Sequence, residues 1–69
     1  MKYLVIYEKT ATGYCSYAPD LPDCITIGPT LEQTERLMKE AIEFHLEGLR
    51  EDGLPIPAPT TTADYIIAA

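Results

Sequence analysis

The stretch from Thr30 to Leu49 constrains this chain more than any other. At about 100° per residue, Leu31, Thr34, Met38, Ala41, Ile42, His45, Leu46 and Leu49 gather on one side of a helix. Glu32, Arg36, Glu40, Glu43, Glu47 and Arg50 gather on the other. Thr30 followed by Gln33 reads as a capping box, and Gly53 then Pro55 mark the stop. A helix apolar on one side only needs a surface to cover that side. In a chain of 69 residues the surface can only be a small β-sheet, from this chain or shared with a second copy.

The remaining residues supply such a sheet. Lys2 to Glu8 is β-branched and aromatic throughout and reads as a strand with apolar groups on both faces. Lys9 to Gly13 is a polar loop ending in glycine, and Tyr14 to Ala18 reads as the second arm of a hairpin. Two prolines and two aspartates in Pro19-Asp20-Leu21-Pro22-Asp23 break the ladder and favour turns. Cys24 to Gly28 reads as a short third strand that leads through Pro29 to the cap at Thr30. After the helix, prolines at 55, 57 and 59 favour an extended segment and exclude a central strand. Tyr65-Ile66-Ile67 reads as a short last strand. The expected fold is α+β with the order β-β-β-α-β, one domain over residues 1–69, its small antiparallel sheet packed against one amphipathic helix.

A domain this short buries only about 60% of its unfolded surface and is marginal alone. Cys15 and Cys24 do not make a disulfide framework, and one histidine gives no metal-finger spacing. Oligomerisation is the remaining remedy, so a homo-oligomer is expected. Eleven acidic against five basic residues give a net charge of −6. Direct nucleic-acid binding needs a basic stripe, which is missing, whereas a basic protein partner suits this charge. No run reaches the ~18–20 apolar residues of a membrane span, and the first residues lack the pattern of a signal peptide. A cytoplasmic protein is expected.

Three motifs carry a resemblance. Tyr14 to Asp23 (YCSYAPDLPD) is followed by Cys24, then by Gly28-x-Thr30-Leu31-Glu32 at the helix start, then by EAIEFHLEGLREDGLPIPAP from Glu40 to Pro59. In order and spacing these resemble the N-terminal domain of HicB-type antitoxins over nearly the whole chain. The resemblance implies a partly degraded ribonuclease H-like fold. It also implies a partner, the HicA toxin, a small basic mRNA-cleaving ribonuclease whose active site the antitoxin covers. The DNA-binding domain that follows in two-part members is not expected within these residues. Asp23 stands where the family usually has glycine, and Pro29 where it is usually polar or acidic.

Catalysis is not expected. A ribonuclease H-type site needs clustered carboxylates for two metal ions, and the middle of the first strand has none. Glu40, Glu43 and Glu47 share the polar face and read as solvated. His45 lies on the apolar face and reads as a buried or half-buried imidazole. No Lys or Arg lies between residues 10 and 35 to activate a thiol, so both cysteines read as small buried hydrophobes. No cofactor or metal is expected. The tyrosines and the proline-fixed turn suit a preorganised contact surface, with Tyr14, Tyr17, Pro19, Asp20, Leu21, Pro22 and Asp23 as candidate partner-binding residues. The competing reading is a stand-alone homo-oligomeric domain of the same fold, with a regulatory or scaffolding role and no toxin.

Overall fold

A computed structural model describes residues 1–69. Three strands, β1 (Ile6–Lys9), β2 (Tyr14–Tyr17) and β3 (Ile25–Gly28), form an antiparallel sheet in the order β1-β2-β3. One helix, α1 (Leu31–Glu51), follows and packs on it. The three strands and the helix are in the expected places, with shorter strands. Tyr17 pairs with Ile6, so β1 begins at Ile6 and not at Lys2. Pro19 supplies no N–H, which stops β2 at Tyr17 and leaves nothing for residues before Ile6 to pair with.

The expected fourth strand does not form. Tyr65, Ile66 and Ile67 have no strand neighbour and are 85% to 99% exposed. A strand needs a partner edge, and these residues pair with none. The order is therefore β-β-β-α.

The helix is bounded as its sequence dictates. The Thr30 hydroxyl accepts from the Gln33 backbone N–H at 3.2 Å, the hydroxyl half of the box. At the other end Gly53 adopts φ +66°, its N–H donates to the Arg50 carbonyl at 3.1 Å, and the Leu54 N–H donates to Leu49 at 2.9 Å. This pair of bonds is a Schellman closure, which glycine makes without steric cost.

The core is small. Ala18, Leu21, Cys24 and Met38 are buried, with Tyr3, Val5, Ala41, Ile42 and Leu46 packed around them. Small groups on the sheet let the helix come close. Beneath it the Ser16 and Thr26 hydroxyls share a hydrogen bond of 2.6 Å, and Thr26 also donates to the Met38 sulfur at 3.9 Å. Gly28 is buried, and a Cβ on it would lie 2.6 Å from Thr34 Oγ1. That oxygen cannot swing away, because it donates to the Thr30 carbonyl at 2.7 Å. The opposite face of the sheet carries Cys15, Tyr17, Ile25 and Ile27 and has no covering element. No helix is long and apolar enough to cross a membrane.

The Gly28–Thr34 contact yields a test. Gly28→Ala forces helix and sheet apart and costs about 2 kcal/mol, as overpacked sites do. Thr34→Ala removes the opposing oxygen, so the double variant is less destabilised than the two single losses added together. Urea midpoints of the four proteins check this; strict additivity would mean that the two residues do not meet.

Candidate functional site

The turn from Ala18 to Cys24 organises one end of the sheet. Leu21 donates its N–H to the Ala18 carbonyl at 3.0 Å, and Cys24 donates to Leu21 at 3.3 Å, so two tight turns follow each other. The Leu21 side chain is 1% exposed and plugs the core. Pro19, Pro22 and Asp23 are exposed around it. Asp23 sits at φ +66°, a conformation that suits glycine and that aspartate tolerates better than most residues.

Asp20 has an intramolecular task. Its carboxylate accepts the backbone N–H groups of Thr60 and Thr61, each at 2.9 Å, and both of their hydroxyls, at 3.1 and 2.7 Å. These bonds, those of Thr61 foremost, hold its pKa below the usual carboxylate range. The Tyr3 hydroxyl donates to the Pro57 carbonyl. The proline-rich segment after the helix is thus strapped to the domain at two points, Tyr3 and Asp20.

The candidate residues from the sequence divide between locations. Tyr17 lies on the uncovered sheet face, and Tyr14 is half-buried opposite Gly28 at the far end of β2. Leu21 is core and Asp20 is a clasp. Pro19, Pro22 and Asp23 remain available on the turn. Cys24 is buried, which pushes its thiol pKa up and makes it a poor nucleophile. Cys15 is half-buried on the uncovered face and not the core residue expected; its register opposite Ile27 turns it away from the helix. The two thiols are on opposite faces. No three His, Cys, Asp or Glu side chains meet in a group able to hold a metal ion.

The largest concavity is a groove of about 720 Å³ between β3 and α1. The sheet edge from Cys24 to Thr26 forms one wall, and Leu37, Ala41, Phe44 and Leu49 form the other. Asp23, Glu40 and Asp52 line it as well, His45 is half-buried within it, and no lysine or arginine contributes. Phe44 is 72% exposed and offers apolar area to a visitor. Leu37 and Phe44 stand outside the apolar face expected from the sequence. The signal for them was present: Leu37, Ala41, Phe44 and Gly48 follow i, i+4, i+7, i+11 spacing, a second stripe beside the core stripe.

The site thus comprises a three-stranded sheet under one helix, with an uncovered face and an apolar groove along β3. The family model for the HicB-like antitoxin of bacterial toxin–antitoxin systems matches residues 3–69, and the chain belongs to that family. It is 30% identical over 67 residues to Antitoxin HicB 2 of Photorhabdus laumondii, covering 97% of this chain and 48% of that protein. A 14.9 kDa protein of Haemophilus phage HP1 is 39% identical over 66 residues, covering 96% and 50%. The chain spans about half the length of both. A UPF0150 protein of Thermoplasma acidophilum is 40% identical over 58 residues and is covered over 84% of its length. Among solved structures, a chain of a HicA3 and HicB3 toxin-antitoxin complex superposes with a TM-score of 0.72 at 32% identity, covering 87% of this chain and 70% of that one.

Two outcomes follow from the turn. Asp23→Gly relieves the positive φ and raises stability by about 1 kcal/mol, read from the urea midpoint. Asp20→Ala opens the clasp, and the Thr60 and Thr61 amides lose their protection from hydrogen exchange while those of β2 and α1 keep theirs. A carboxyl whose pKa is lower folded than unfolded adds stability above its unfolded pKa and loses it as pH falls through the folded one. The clasp is therefore fastened at neutral pH and opens in acid, below the usual carboxylate range. Amide protection at Thr60 that is already lost within the usual carboxylate range, or that persists once Asp20 is protonated well below it, would contradict this.

Proposed function

We propose that this chain neutralises a small basic toxin of the HicA type by binding it and covering its active site. The likeness to a chain in the HicA3 and HicB3 complex carries this reading. The net charge of −6 supports it, since a basic ribonuclease is drawn to an acidic surface and the encounter is quickened. The complex forms in the cytoplasm, where mRNA-cleaving toxins act, and the chain itself makes no contact with nucleic acid. Of the candidate residues, Tyr17 on β2 and Pro19, Pro22 and Asp23 on the turn have side chains available to the toxin, while Leu21 and Asp20 hold the turn in shape.

A second reading, self-association, has its own support. Ile25 and Ile27 are 65% and 72% exposed on a sheet face with no cover, in a domain too small to be stable by a wide margin. A homo-oligomer covering that face is compatible with toxin binding elsewhere. As an oligomer without a toxin, the domain would be regulatory or a scaffold.

The test is co-expression. Induction of a HicA-type toxin arrests growth, and this chain restores it; the two proteins co-purify in a fixed ratio. Raising salt from about 0.05 to 0.5 M weakens the purified complex by roughly tenfold or more. Growth that stays arrested with both proteins soluble rejects the antitoxin reading. Solution mass of the chain alone, a clean monomer or a multiple, decides the second.

A further inference from the structure

We propose that the groove between β3 and α1 is the docking surface for an extended basic segment of the partner protein, one that adds a strand to β3 and sets an apolar side chain beside Phe44. This deepens the proposed function and rests on it for the identity of the partner.

The first support is the edge of the sheet. β3 has a strand neighbour on one side only. The Ala18 N–H donates to the Cys24 carbonyl at 3.4 Å, so the backbone groups of that facing pair point toward each other across the β2–β3 ladder. In an antiparallel ladder bonded and non-bonded pairs alternate. Ser16–Thr26 and Tyr14–Gly28 are then bonded pairs, and Tyr17–Ile25 and Cys15–Ile27 are not. The N–H and C=O groups of Ile25 and Ile27 consequently point outward, a template for one more strand.

The second support is the groove beside that edge. Leu37, Ala41 and Phe44 make an apolar wall beside the outer edge of β3, so a strand laid on that edge would turn alternate side chains toward it. The third is charge. Asp23, Glu40 and Asp52 line the groove, and neither Lys nor Arg does. A segment with lysines or arginines flanking an apolar residue matches both the walls and the acids. A second copy matches poorly, because it brings the same three acids and another −6. This chain's own end matches no better: residues after Arg50 contain three acids and no cation.

The experiment uses the full chain, labelled with nitrogen-15, and two probes. The first is a ten-residue peptide alternating Lys with Val and Phe, beside a control with Glu in place of Lys. The Lys peptide is expected to shift amide signals of β3 and of residues 37–52, more weakly at high salt, while the Glu peptide shifts none. Shifts confined to β1 or to the β1–β2 loop, or no shifts at all, overturn the proposal. Concentration-dependent shifts of the groove without peptide also overturn it, since a second copy would then be the occupant. The second probe is HicA3 in a catalytically inactive form. Leu37→Ala and Phe44→Ala, both at exposed positions, are each expected to weaken it about tenfold or more without changing the thermal melt. Full affinity in both variants overturns the groove while leaving the antitoxin reading intact. Absence of HicA3 binding with the peptide still seated in the groove leaves the groove's chemistry standing and counts against the antitoxin reading alone.

Discussion

The contact on which the rest of the structure depends is the one between Gly28 and Thr34. At the end of β3 there is no side chain, and the helix has just begun, so its first turn rests almost directly on the sheet. Ser16 and Thr26 extend this low platform toward Met38. Close approach at this end fixes the height of the helix, and α1 then runs back antiparallel to β3. Its later turns stand across from Asp23 to Thr26, where the gap opens into the groove. The groove is the wide end of a wedge whose narrow end is a glycine.

The second constraint is scarcity. Only four apolar side chains are buried beneath a helix of 21 residues, and one of the four, Leu21, is recruited from the turn. Leu21 comes from a segment of prolines and aspartates that would ordinarily lie on the surface. Burying it ties the turn to the core and fixes the exposed residues around it. A contact surface built on such a turn is preorganised and loses little entropy on binding.

The helix, its cap and stop, the three strands and the breaking turn were legible in the sequence because each is a local pattern: periodicity, alternation, or proline and glycine placement. Strand ends were less so, since they depend on how far a partner reaches; Pro19 shortens β2 and thereby β1. The tail at Tyr65 to Ile67 has the composition of a strand, but composition says nothing about whether an edge lies beside it. The Asp20 clasp joins residues 40 and 41 positions apart, and no short pattern announces such a pair. At the site, the acidic turn was visible, whereas the burial of Leu21 was not, because apolar character alone does not distinguish a plug from a contact. Leu37 and Phe44 were legible in principle and lay hidden behind the stronger core stripe.

The strap after the helix has a mechanical meaning. Proline at alternate positions from 55 to 59 makes a stiff rod, extended at about 3.1 Å per residue. One end is riveted to the helix by the Gly53 closure, and the other to the Asp20 turn. Such a segment is a semi-rigid spacer between the far end of α1 and the corner where β2 passes to β3. It also sets the heading of every residue beyond Thr61, which leaves from a fixed point on a stiff arm. Whatever these last residues meet, they approach it from a bearing set by one carboxylate.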